Sequence, residues 1–183
     1  MKNDMTRRGL GALGLAGLLP ATAGAQQDYP SRAITMLVGF APGGGTDIIS
    51  RFLQPFLQDE FRQTIAVENR PGASGTLAVT ALSRARPDGY TGVIAHVSYS
   101  SIPAADALFQ RPASFERASL APIALLTADP LIIVVKADAP WRSFQEFAED
   151  AKRRPGEIAY GSSGPYSAVH LPFEMLAHAG GFR

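Results

Sequence analysis

The 183-residue sequence contains no cysteine. Disulfides, thiolate metal sites and cysteine nucleophiles are all excluded, so an apolar core has to hold the fold. A lipid anchor on an N-terminal cysteine is excluded on the same ground. Histidine is nearly as scarce, with only His96, His170 and His178. The last two are eight residues apart, not the four that set two imidazoles on one helix face for zinc, and no His/carboxylate cluster suggests another metal. Charge is sparse at 18% of residues. No basic stripe marks a nucleic-acid or membrane-surface binder. The apolar run Leu10–Leu19 falls short of the ~20 residues that span a bilayer.

The chain opens with a different kind of signal. A basic start (Lys2, Arg7, Arg8), that apolar run and the small residues Ala23-Gly24-Ala25 have the layout of an export signal cleaved after Ala25. Thr6-Arg7-Arg8 leaves the twin-arginine route open beside the ordinary secretory one. Removing residues 1–25 leaves 14 of the 17 basic and 15 of the 16 acidic residues, a net charge near −1. The formal charge of +1 therefore belongs to the signal. A free periplasmic protein is expected.

Beyond the signal, strand and helix patterns alternate. Ile34–Phe40, Thr64–Glu68 and Thr91–Val97 read as short buried strands. Between them, Ile48, Ile49, Phe52, Leu53, Phe56 and Leu57 recur at helical spacing, with Thr46 or Asp47 as N-cap, and a second helix is predicted over 76–84. Pro55 lies inside the first of these helices, where it removes a backbone donor. Such alternation predicts an α/β fold with a parallel sheet flanked by helices. Residues 98–109 are expected to hold one or two helical turns. The apolar stretch Ala121–Ala137 reads as two successive strands leading to a second lobe. Ser143 and Glu146 form a capping box ahead of a helix that Pro155-Gly156 stops. Residues 157–161 then read as a strand, and 168–180 as a helix broken near Pro172.

Three loops, 41–47, 69–76 and 161–167, are rich in glycine and serine, and each follows a predicted strand and precedes a predicted helix. On an open parallel sheet such loops line the ligand edge, and helix N-termini there favour anions. Phosphate chemistry does not fit. The glycines of "GFAPGGGTDI" meet Thr46-Asp47, not the Lys-Ser/Thr of a P-loop, and the third glycine of a dinucleotide fingerprint is missing. Asp47 either repels an anion, caps its own helix or accepts a ligand's N–H. Ser162 and Ser163 lie in "GSSGP", which is not a nucleophile elbow. The residues thus describe an exported binding protein better than an enzyme. An exported α/β enzyme on an anionic substrate, or a non-functional remnant, stands as the alternative.

"YPSRAITMLVGFAPGGGTDIISRFL", "VENRPGASGTLA", "ARPDGYT" and "IAYGSSGPYSAVHL", in this order from Tyr29 onward, closely resemble the Bug family, the periplasmic substrate-binding proteins of tripartite tricarboxylate transporters. The resemblance implies a periplasmic-binding-protein (Venus-flytrap) fold whose two lobes close on a small carboxylate, no cofactor, and membrane components of the transporter as partners. It divides the chain into the signal (1–25), a first ligand-binding lobe (26–125), and a hinge crossing with part of a second lobe (126–183). It assigns ligand contacts to Gly43, Gly44, Gly45, Thr46 and Asp47 in the first-lobe loop and to Ser98 and Ser100 after the third strand. In the second-lobe loop it assigns Ser162, Ser163, Gly164, Ser167 and His170. Pro165, Tyr166 and Tyr99 replace smaller residues usual in the family. Family members also continue well past the position of Arg183, so a C-terminally truncated second lobe is expected.

Overall fold

The computed structural model describes residues 29–183, so the export signal and its cleavage point lie outside the described residues. Three parallel strands form a single sheet among the described residues: β1 (Ile34–Val38), β2 (Ile65–Asn69) and β3 (Thr91–Ile94), in the order β2-β1-β3. The register runs Ile34 to Ile65 through Val38 to Asn69 on one side, and Thr35 to Thr91 through Val38 to Ile94 on the other. Met36, Leu37 and Val38 are buried in succession. Successive strand side chains point to opposite faces, so this run shows β1 covered on both sides, as the centre of a parallel sheet must be. With Ile65, Ala78 and Val79 these residues make the core, each large aliphatic contributing ~1.5–3 kcal/mol by burial.

Helix α1 (Gly45–Phe61) connects β1 to β2, and α2 (Thr76–Ser83), entered through a 3-10 turn over Ala73–Gly75, connects β2 to β3. From β1 the first crossover moves to one neighbour, and the second returns past β1 to the other side. Right-handed crossovers in opposite directions put the two helices on opposite faces. The apolar residues predicted to bury α1 are only partly used. Thr46, Asp47 and Ser50 face the sheet, with Leu53 and Leu57 half-buried, whereas Ile48, Phe52 and Phe56 are exposed. Pro55 is accommodated within the continuous helix.

The third helix, α3 (Ser98–Leu108), runs for 11 residues, longer than the one or two turns expected. Its Asp106 accepts the backbone N–H and the hydroxyl of Ser114, at 3.0 and 2.9 Å, and pairs with Arg111. That clamp carries Phe115 into a cluster with Val79 and Ile102.

The expected strands over 121–137 and 157–161 do not form. Residues 121–136 carry no regular structure, and Ile123, Leu125, Ile132 and Val134 are exposed. A strand exists only through a ladder, and neither segment finds a partner strand among the described residues.

Past this segment, α4 (Phe144–Arg153) and α5 (His170–Gly180) pack on a separate cluster of Phe147, Ala148, Ala151, Ala177 and Phe182. The Ser143 hydroxyl accepts from the Glu146 N–H at 3.2 Å, and the Glu146 carboxylate reaches back to the Arg142 N–H at 2.6 Å. The predicted cap is thus present, shifted one residue on its return arm. Asp150 collects Arg153, Arg154 and the Trp141 indole N–H, and Trp141 meets Phe147 edge-on at 5.1 Å. Ser143→Ala is expected to destabilise this unit by ~1 kcal/mol. Urea unfolding followed by the fluorescence of Trp141, the sole tryptophan, should show an earlier midpoint at unchanged slope, and an unmoved midpoint would remove the cap from the account.

Candidate functional site

In a sheet of order 2-1-3 the crossovers diverge at β1, leaving a crevice beyond the C-terminal ends of β1 and β3, where open parallel sheets bind ligands. A cavity lies at that place. Gly39 and Phe40, just past β1, line it, with Ala95 and His96 just past β3, and Ser74, Thr76, Ser98 and Tyr99 complete its polar and aromatic side. The walls approach closely, because a Cβ on Gly39 would lie 2.7 Å from the Gly75 Cα. Any larger residue at position 39 would push the strand end off the 72–76 loop.

The hydroxyls of the crevice are mostly engaged. Ser98 donates to the Ser74 carbonyl at 3.1 Å. Ser74 donates to the Pro165 carbonyl at 3.0 Å, and Ser101 to the Tyr166 carbonyl at 2.8 Å. Thr76 is 8% exposed, and its Oγ1 finds no hydrogen-bond partner among the described residues. A buried hydroxyl left unpaired costs ~1–3 kcal/mol, so this atom marks a place for another polar group. Helices α2 and α3 both begin at the crevice, neither capped by a side chain.

The glycine loop is organised differently from the sequence expectation. Helix α1 begins at Gly45 with Gly44 as N-cap, so neither Thr46 nor Asp47 caps it. Asp47 occupies the third helical position, is 2% exposed, and turns its carboxylate inward. One oxygen accepts the Gly43 N–H at 2.9 Å and the Arg51 Nε at 3.0 Å, and the other accepts the Asn69 amide at 2.9 Å. Asn69 also donates to the Phe40 carbonyl and accepts from Arg51. The Arg51 hydrogen bond, then those from Gly43 and Asn69, lower the Asp47 pKa to about 2. Gly44 donates to the Ala41 carbonyl. Of the contacts expected here, the Gly43 and Gly44 amides and the Asp47 carboxylate are thus committed within the loop, while Gly43, Gly44 and Gly45 lie exposed and Thr46 is buried.

Of the remaining expected residues, Ser98 is buried in the crevice, and Ser100 lies half-buried on α3. Ser162 and Ser163 are exposed, Gly164 packs against Ser74, and buried Ser167 accepts the His170 N–H at 3.2 Å. His170 Nδ1 accepts the Tyr166 N–H at 3.3 Å. The structure therefore brings together the 72–76 loop, the start of α3 and the 161–167 loop. Reading individual residues from sequence missed Ser74, Thr76 and Ser101. The first two lie in a loop that composition does flag. Ser101 would follow from reading 98–108 as a helix, since positions three apart share a face.

Comparison with known proteins agrees with this geometry. The model of the tripartite tricarboxylate transporter family receptor matches residues 49–183. BugT of Bordetella pertussis is 34% identical over 180 residues, covering 94% of this chain and 53% of that protein. MatC of Rhodopseudomonas palustris, solved with bound malate, superposes with a TM-score of 0.74 at 30% identity, over 85% of this chain and 52% of that one. An R. palustris protein solved with adipate gives 0.65 at 26% identity, over 85% and 52%. The chain spans about half the length of the curated relatives it matches.

A carboxylate whose folded pKa lies below its ordinary 3.8 contributes stability that is present above that value and lost as the pH falls through about 2. Asp47→Asn should lower the melting temperature at pH 7 and flatten the part of its decline between pH 4 and 2 that Asp47 causes. Superimposable melting-versus-pH curves for the two proteins would show that the loop does not depend on this carboxylate.

Proposed function

The chain belongs to the tripartite tricarboxylate transporter family of receptors, and from that premise we propose that it is a periplasmic receptor for a small carboxylate. The observation that carries the reading is the crevice at the divergence of the β1 and β3 crossovers, lined by hydroxyls, one of them buried without a partner among the described residues. An acid needs hydrogen-bond donors with room to reach it, and serine and threonine hydroxyls supply them without a fixed opposite charge. The malate and adipate held by the two structural neighbours support a small organic acid as the ligand class. Both are dicarboxylates, and a tricarboxylate or a related acid stays within the proposal.

The role implies export, capture in the periplasm and delivery to membrane components of a tripartite transporter. No helix among the described residues is long and apolar enough to cross a membrane, so delivery would depend on docking to those components. The two units, 26–125 and 126–183, are proposed as the first lobe and a portion of the second. In this reading the segment over 121–136, which carries no regular structure, is where the chain passes from one to the other. Binding takes no cofactor and makes or breaks no covalent bond in this reading.

A thermal-shift panel of malate, adipate, citrate, acidic amino acids and aromatic acids tests the proposal. At 100 times its dissociation constant, a ligand of the native state adds ~2.7 kcal/mol of stability. One acid class is expected to raise the melting temperature in a concentration-dependent way. A cooperative melt that no acid moves, or turnover of a bound acid, would refute the receptor reading.

A further inference from the structure

The contact between the 72–76 and 161–167 loops carries a more specific conclusion, which rests on the carboxylate-receptor reading. Ser74 and Ser101 each aim a hydroxyl at a backbone carbonyl, those of Pro165 and Tyr166, at 3.0 and 2.8 Å. Ser74 is 8% exposed and lies beside Thr76, whose equally buried hydroxyl has no partner among the described residues. The cavity that Ser74 and Thr76 line has about 10 Å3 of room, the scale of one water, and Ser101 lies beside it on α3, its hydroxyl also within 3.1 Å of the Ser98 carbonyl. A small organic acid does not fit beside the loop, so it reaches these hydroxyls only by displacing it.

Backbone strain gathers at the same contact. Ala73, Ser74 and Tyr166 hold φ values of 47°, 56° and 58°, in the left-handed region that side-chain-bearing residues seldom adopt. Glycine is the residue that takes this conformation without cost. A serine at position 74 bears the strain and offers in return only a hydroxyl. On the opposing loop, Gly164 lets the chain approach, since a Cβ there would lie 2.7 Å from the Ser74 Oγ. The Tyr166 ring packs on Val79, Ile102 and Phe115 and stands 5.5 Å from the Phe109 ring, which anchors the loop in place.

We infer that Ser74 and Ser101, with Thr76, are hydroxyl donors to the carboxylate of the ligand, and that the Pro165 and Tyr166 carbonyls compete with its two oxygens for them. Each hydroxyl has one proton to donate, so acid and loop are alternative partners. The affinity of the acid is then reduced by the fraction of molecules in which the loop holds the hydroxyls.

Isothermal titration with malate, adipate and citrate, each against the unsubstituted chain, Ser74→Gly and Ser101→Ala, decides the matter. Ser74→Gly removes the hydroxyl and relieves the strained backbone, so it should melt no lower than the unsubstituted chain. It should nevertheless bind whichever acid the unsubstituted chain binds about tenfold more weakly, as loss of a hydrogen bond to a charged group requires. Ser101→Ala should weaken the same acid in the same direction. If Ser74→Gly binds as tightly or more tightly, the serine only clasps the loop and this inference is overturned while the receptor reading stands. If a cooperatively melting unsubstituted chain binds none of the three acids, this inference falls with the receptor reading for them.

Discussion

The Asp47 carboxylate is the point on which the ligand edge of the sheet depends. It ties together the glycine loop through Gly43, its own helix through Arg51, and the end of β2 through Asn69, which in turn holds the Phe40 carbonyl just past β1. Three elements that meet only at their ends are thereby fixed by one buried anion. A buried charge is tolerable only when paired and fully hydrogen-bonded, and here the Asn69 amide and the Arg51 guanidinium bond each other as well as the carboxylate. The orientation of α1 follows from this. Turning Asp47 toward Asn69 sets Thr46 and Ser50 against the sheet and rotates the Ile48–Phe52–Phe56 row outward, where the Phe52 and Phe56 rings meet at a tilt, 5.5 Å apart. An acidic residue early in the helix also meets the positive end of its dipole.

A second constraint is the thinness of the connection between the two units. The sheet and its helices have one cluster, α4 and α5 have another, and each is built from its own residues. Between them stand the irregular chain over 121–136 and the face-to-face meeting of the 72–76 and 161–167 loops. That meeting rests on a few hydroxyl–carbonyl bonds and one aromatic ring, and its backbone is strained on both sides. Contacts of this kind exchange partners more readily than an interdigitated core, because each bond has an equivalent replacement in water or in a ligand. In the proposed receptor role, such a junction would serve a protein that both seizes and surrenders its cargo.

Much of this architecture is legible in the amino-acid order, and the exceptions have physical causes. The three strands and two crossover helices are visible because their signals are local: an apolar run, a glycine turn, a helical stripe. The Ser143 cap is visible for the same reason, since cap and partner lie three residues apart. Strands over 121–137 and 157–161 are not decided locally. Apolar β-branched residues permit a strand, and only a neighbour with free backbone groups makes one. The length of α3 is concealed by Pro103 and a serine-rich start, both of which read as breakers until Asp106 and Ser114 close its far end. At the candidate site, composition marks loops that come together but not which of their atoms meet. Whether a serine faces a crevice or solvent depends on helix phase, and that phase separates Ser98 and Ser101 from Ser100. The inward turn of Asp47 depends on Asn69, 22 residues away, beyond the reach of any spacing rule.

The chemistry of the crevice follows from what surrounds it. Among the described residues its lining carries no lysine, arginine, aspartate or glutamate, and its ionisable rings are His96 and Tyr99. A guanidinium clamp would hold any carboxylate strongly through charge alone, whatever the rest of the acid looked like. Hydroxyl donors hold it only where both oxygens meet them at hydrogen-bond length, so selectivity shifts from charge to shape and separation. Each donor contributes modestly after the water it replaces is counted, roughly 1.5–3 kcal/mol toward a charged acceptor. Two or three of them give an affinity that depends on all being in register at once. In the proposed arrangement the Asp47 network fixes the strand ends around Phe40 and Asn69, while Ser74 and Thr76 stand on or beside the strained 72–76 turn. Rigidity at the strand ends and strain at the loop are thus two halves of one arrangement, the first holding one wall of the crevice still and the second keeping the donors exchangeable.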